Sequence, residues 1–230
     1  MKLGIIAAMT IEAELIIASM ENPTTEDCGG ITYTVGKIGE TDVVCAVCGV
    51  GKVFAAMCAQ AMVVKFAPDC IVNTGVGGTL TKELSIGNVA VSRAVVQHDM
   101  DTSPLGDPVG LISGINIIEI PASVELGDKI AKIAGDMGVK TLLGTIASGD
   151  RFVASVDTKK YITNNFGAIA CEMEGAAVGQ VCYVNKIPFV VVRAISDDAD
   201  GGACEDYPAF AKRSAEVSAK IIVDLAKGLN

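Results

Sequence analysis

The sequence predicts a three-layer α/β domain, and three observations carry that expectation. Short apolar runs alternate with helix-like stretches from one end of the chain to the other. Half of the 230 residues are hydrophobic, enough for one large core, yet no run reaches the length of a membrane span. No repeat, low-complexity tract or Pro/Gly/Ser linker divides the chain, so residues 1–230 read as a single domain.

Strands are expected at 2–7, 31–38, 42–48, 70–75, 86–97, 140–147, 168–173 and 188–196, and helices at 11–20, 52–66, 122–137, 155–166, 174–185 and 208–227. The first strand leads into a helix with Glu12 and Glu14 in its opening turn, where a helix dipole favours acids. In the strand at 42–48, Cys45 and Cys48 have C-x-x-C spacing. With one histidine in the chain and no second such pair, they read as core cysteines and no metal site is expected. The glycine-rich "CGVGKV" precedes the helix at 52–66, and "NTGVGG" follows the strand at 70–75, so each reads as a turn that brings backbone N–H groups near a ligand. Residues 98–114, with Pro104 and Pro108, read as a long loop of the kind that forms lids or interface arms.

The strand at 140–147 ends in Ser148 and Asp150, and that at 168–173 in Glu172 and Glu174, which would share a strand face with one of them paired to Arg193. The run "VVVRAISDDAD" is apolar enough for a strand covered on both faces, yet it encloses Arg193 and finishes in Asp197, Asp198 and Asp200. The last helix has Pro208 near its first turn and Phe210, Val217, Ile221, Ile222 and Leu225 at helical spacing. Ligands of α/β sheets sit beyond the carboxyl ends of parallel strands, so these four acidic strand ends are expected to converge on one crevice. Helix capping is the commoner role for any one such residue. The coincidence of four favours a site.

A net charge of −9 with no dense Lys/Arg cluster makes nucleic acid and anionic membranes poor partners. Scattered cysteines suit reduced thiols, and the N-terminus lacks the pattern of an export signal, so a cytoplasmic location is expected.

The segments "GIIAAM..E.E", "GVGKV.AA", "NTG..G.L", "HD.D", "SGD.F", "EMEGAAV.QVC" and "PFVVVRAISD.AD" together resemble the 5'-methylthioadenosine/S-adenosylhomocysteine nucleosidases of the nucleoside phosphorylase and hydrolase superfamily, in order from residue 3 to about residue 227. The resemblance implies a single α/β/α domain around a mixed, curved central sheet, usually a homodimer. It implies hydrolysis of an N-glycosidic bond to adenine and a 5-thio-substituted ribose, with no metal or organic cofactor. By the same resemblance Asp197 is the acid that protonates adenine, Glu12 the base that activates water, and Arg193 and Ser196 hold that water or the carboxylate. Glu174 grips the ribose hydroxyls between Met173 and Met9. Adenine lies on Phe152 with the Val153 backbone reading its edge, Val50 and Gly78 line the pocket, and Tyr207 stands near the substrate. Val76 and Gly77 stand where many members carry Ser-Ala. Leu105 and Asp107 stand where aromatics, commonly from the partner subunit, close over the 5' group.

Three rival readings accompany this one. A phosphorylase needs cations for phosphate, whereas the first strand–helix turn offers only Glu12 and Glu14. A futalosine-type hydrolase would apply the same acid and base to another 5' substituent. A silent nucleoside-binding protein has no use for Glu12, Glu174 and Asp197 together.

Overall fold

The computed structural model describes residues 1–197 and 207–229, the side chains of residues 207–210 excepted. Ten strands form one mixed sheet: β1 (Lys2–Ala7), β2 (Glu21–Cys28), β3 (Ile31–Ile38), β4 (Thr41–Val47), β5 (Cys70–Thr79), β6 (Val89–Gln97), β7 (Ile120–Pro121), β8 (Thr141–Ser148), β9 (Ala170–Glu172) and β10 (Phe189–Asp197). Among the described residues six helices cover it: α1 (Thr10–Ala18), α2 (Lys52–Phe66), α3 (Val124–Asp136), α4 (Val156–Phe166), α5 (Gly175–Asn185) and α6 (Tyr207–Gly228). One core lies between the sheet and α2 and α5, a second between the sheet and α1, α3 and α6, and a smaller one under α4. That is the three-layer arrangement expected.

The apolar run of β10 is buried along its length because it lies inside the sheet, parallel to β5 and antiparallel to β6. β5, β10, β6, β8 and β9 close on one another as a ring, and β1, β4, β3 and β2 extend from β5 as an open wing. β5 therefore has β10 on one edge throughout. On its other edge it pairs with β1 as far as Asn73 and with β9 from Gly78, leaving an opening between.

Two strands went unforeseen. β2 is polar and exposed almost throughout, so no apolar pattern marks it. It exists because the Gly29–Gly30 turn, both at positive φ, folds it back on β3 as an edge strand. β7 is two residues laid against β6. A correction concerns "NTGVGG", expected as a turn: β5 runs straight through it to Thr79. Its glycines serve close approach, since a Cβ on Gly75 would lie 2.6 Å from Glu12 Oε1 and one on Gly78 would lie 2.8 Å from Asp197 Oδ2. The "CGVGKV" turn does precede α2, with Gly49 and Gly51 at φ of 95° and 104°. Cys45 packs into the core under α1 and α6 and Cys48 into the opposite one, so the C-x-x-C pair is split across the sheet. Residues 98–114 form a loop whose regular part is a 3₁₀ turn, Ser103–Leu105.

Candidate active site

A cavity of about 240 Å³ opens where β5 changes partner, walled by residues following β1, β4, β8 and β9 and by the ends of β5 and β10. Glu12, in the first turn of α1, reaches into it. Its Oε2 accepts the N–H groups of Ala8 (3.0 Å) and Met9 (2.9 Å), and its Oε1 accepts that of Val76 (3.0 Å) on the edge of β5 left open between β1 and β9. Glu12 thus caps its helix and lines the cavity at once. Burial raises its pKa, opposed first by the positive charge of Arg193 and then by the three N–H donors. Glu14 is exposed and is only a first-turn acid.

Asp197 ends β10 at the other side of the opening, packed against Gly78, with the Lys159 ammonium of α4 3.7 Å from Oδ2. Gly75 and Gly78, which touch the two carboxylates, are three residues apart on one strand. At about 3.3 Å per residue these two glycines lie about 10 Å apart along β5. The two acids are thus held at separate points of one strand.

The wall between them is a buried charge network. Glu172 takes the Arg193 guanidinium and the Ser148 hydroxyl, and its Oε2 also accepts the N–H groups of Glu174 (2.9 Å) and Gly175 (2.7 Å). Arg193 further donates to Asn73 Oδ1 at 2.5 Å and to the carbonyls of Asn73 (3.1 Å) and Val192 (2.9 Å). It stands behind the cavity wall, where it holds carboxylates; burial works against its charge, but Glu172, Glu174 and Glu12 overcome that and stabilise it.

Glu174 is not on the strand face expected for it. β9 ends at Glu172, and Glu174 occupies the N-cap position of α5, from which Oε1 accepts the Gly51 N–H at 2.8 Å. Burial, then the neighbouring Glu172, push its pKa up to about 7, against the pull of Arg193. Ser148 and Asp150 fulfil the commoner role: Ser148 Oγ accepts the Ala176 N–H of α5 at 2.7 Å, and Asp150 caps α2 through the Lys52 N–H at 2.8 Å.

Met9, Val50, Gly78, Phe152, Val153, Met173 and Ser196 all line the cavity, Ser196 and Val153 buried and Phe152 at its mouth, 62% exposed. Leu105 and Asp107 are not brought to it by their own chain. Leu105 is 84% exposed, and Asp107 accepts the Thr102 hydroxyl at 2.8 Å. Asp198, Asp200 and the side chain of Tyr207 lie outside the described residues. Arg151 and Cys171 line the cavity, and Lys159 and Asn73 back it, without having been singled out. Arg151 adjoins Phe152 and could have been found from that neighbour. Cys171, Lys159 and Asn73 carry no local signal, because what distinguishes them is a partner far away in sequence.

The phosphorylase superfamily model matches residues 2–227. The 5'-methylthioadenosine/S-adenosylhomocysteine nucleosidase of Shewanella loihica is 36% identical over 231 residues, covering all of both chains. A mutant of the Helicobacter pylori nucleosidase with 5'-methylthioadenosine in its active site superposes with a TM-score of 0.94 at 33% identity, covering 99% of each chain. The native futalosine hydrolase of Helicobacter pylori also superposes at 0.94 and 33%, covering 99% of this chain and 98% of its own. With its ringed α/β sheet, its acidic crevice and this full-length likeness, the chain belongs to the phosphorylase superfamily and, within it, to the 5'-methylthioadenosine/S-adenosylhomocysteine nucleosidases.

Proposed function

We propose that the chain hydrolyses the N-glycosidic bond of 5'-methylthioadenosine and S-adenosylhomocysteine, releasing adenine and the 5-thio-substituted ribose, a step of methionine salvage and of recycling by-products of S-adenosylmethionine. The observation that carries this reading is the pair of carboxylates, Glu12 and Asp197, anchored at two points of one strand with a cavity between them. Cleavage of such a bond needs an acid for the departing base and a base for the attacking water, on opposite sides of a ribose with oxocarbenium character. Anchor points about 10 Å apart along β5 leave room for nucleoside and water together.

Asp197 protonates the purine, and the apolar β10 leading to it limits solvent at that end. Glu12, held in one orientation by three N–H groups, takes the proton of the water. Glu174, fixed by Gly51, accepts the ribose hydroxyls, and its charge favours the cationic sugar. Arg193 acts through Glu172 and Glu174 as a positioning residue, and Ser196 borders the reacting centre. Met9, Met173 and Val50 pack on the sugar side, and Phe152 and Val153 on the base. The reaction so drawn calls for no metal or organic cofactor.

We further infer a cytoplasmic homodimer. α2 and α5 pack side by side and leave Val53, Phe54, Met57, Val64, Tyr183 and Val184 exposed, a face continuous with Val50 at the cavity mouth. A second copy on this face would bring its 98–114 loop, with Leu105 and Asp107, over the 5' end of the substrate. No helix among the described residues is long and apolar enough to cross a membrane.

The test is chromatographic detection of the released purine base from a panel of 5'-substituted nucleosides, futalosine included, in phosphate-free buffer. Adenine and free thio-ribose are expected, at a rate indifferent to added phosphate. Ribose 1-phosphate would make the enzyme a phosphorylase, turnover of futalosine alone would reassign the 5' substituent, and binding without turnover would leave a nucleoside-binding protein.

A further inference from the structure

We propose that Lys159 is a positioning residue whose ammonium sets the pH range over which Asp197 keeps its proton, and with it the alkaline limit of the enzyme. The inference rests on the assignment of Asp197 as the acid.

Lysines are rarely buried without a partner. Lys159 is 6% exposed although its neighbour Lys160 is exposed, because α4 turns it inward to the carboxyl end of β10, 3.7 Å from Asp197 Oδ2. A positive charge so close, at a site largely closed to solvent, favours the ionised carboxylate. The reaction needs the opposite form, a carboxyl that still holds its proton when the purine arrives.

Of the other described groups around this end of β10, the acids push toward that protonated form, whereas Arg151, which lines the same cavity, and Arg193, largely offset by Glu172, act in the same sense as Lys159. From β9 come the carboxylate of Glu172 and the thiol of Cys171. Burial and then the charge of Asp197 push that thiol up to about 12, and Lys159 opposes them. From β5 comes only the backbone of Gly78. From α6, Ser214 binds the Ile195 carbonyl at 2.9 Å, while Lys212, Arg213 and Glu216 lie exposed. Residues 198–206, which include Asp198, Asp200 and Glu205, are outside the described region. Burial and acidic neighbours favour the protonated form of Asp197, and Lys159 offsets them. An acid poised near the working pH transfers its proton best, which is the use of such a balance.

The experiment is the dependence of kcat/KM on pH from about 5 to 10, measured on the full chain with 5'-methylthioadenosine, for wild type, Lys159→Met, Lys159→Gln and Lys159→Arg. Thermal melts of each variant check the fold. The alkaline limb should move up by about one to three pH units in the two neutral variants, and Lys159→Arg should keep it where wild type has it. A limb that stays in place in a folded neutral variant overturns the proposal, as does a shift in Lys159→Arg equal to that in Lys159→Met. If neither neutral variant folds, the charge is a structural requirement and the proposal falls. A wild type that releases no adenine would defeat the nucleosidase reading itself, whereas an active wild type with an unmoved limb defeats only the role of Lys159.

Discussion

Glu12 and Glu14 stand two positions apart in one helical turn, and only tertiary contact separates their roles. Glu12 meets the unpaired N–H of Val76 inside the protein, while Glu14 faces out. The same reasoning selects Asp197, whose replacement by Asn should lower kcat by ~10²- to 10⁴-fold while nucleoside binding is retained. Steady-state kinetics beside calorimetric binding of 5'-methylthioadenosine checks this. Should Asp198→Asn show that loss and Asp197→Asn not, the acid is the neighbouring carboxyl. Glu174 makes a prediction about pH. Its folded-state pKa of about 7 lies above the ordinary 4.5, so the folded chain holds this proton more tightly than the unfolded chain. The stability it contributes is complete below the unfolded value and is lost as pH rises through about 7. Glu174→Gln does not titrate, so relative to wild type it should gain about 1–3 kcal/mol between pH 5 and 8. Melting curves at the two pH values measure it, and a constant difference in Tm would refute the assignment.

At the scale of elements, β5 organises the site. Its change of partner from β1 to β9 leaves a few residues with one edge unpaired, and the Glu12 carboxylate occupies that edge in place of a strand. Gly75 and Gly78 exist to let two carboxylates lie against the backbone. Gly75→Ala would place a methyl 2.6 Å from Glu12 Oε1, with backbone N–H groups fixing the carboxylate from three sides. Displacing a catalytic group by about 1 Å can cost 10²-fold, and a loss in kcat of about that size is expected with KM little changed. Retention of full kcat in Gly75→Ala would show that Glu12 is not the base.

For the whole molecule, the ring of five strands brings together the ends of β5 and β9, which run antiparallel, and so builds a cavity that a flat sheet could not. The apolar face of α2 and α5 extends from the mouth of that cavity. If it is the dimer interface, Val53→Glu with Met57→Glu should yield monomers in sedimentation and lower activity toward 5'-methylthioadenosine, since the neighbour's loop is lost. Asp107→Tyr should then lower KM for 5'-methylthioadenosine with little change in kcat, the pattern of added uniform binding. A fully active monomer, or a KM indifferent to positions 105 and 107, would remove the loop from the site.

The sequence by itself determined the layers, the six helices and eight of the strands, because apolar periodicity reports which face of each element is buried. It also offered Glu12, Glu14, Glu172, Glu174 and Asp197 as carboxylates at the ends of apolar strands, among which the family resemblance chose Glu12, Glu174 and Asp197. It did not determine β2, whose polar residues are held by pairing alone, nor that "NTGVGG" continues a strand. Nor did the strand ends alone show that Glu172 is locked on Arg193 and Ser148 while Glu174 leaves the strand and accepts the Gly51 N–H. Lys159 and Asn73 became visible only when folding set them beside Asp197 and Arg193, respectively 38 and 120 residues away in the chain. Local patterns record burial, whereas the partner of a buried charge is chosen by the closure of the sheet, and that choice belongs to the tertiary structure.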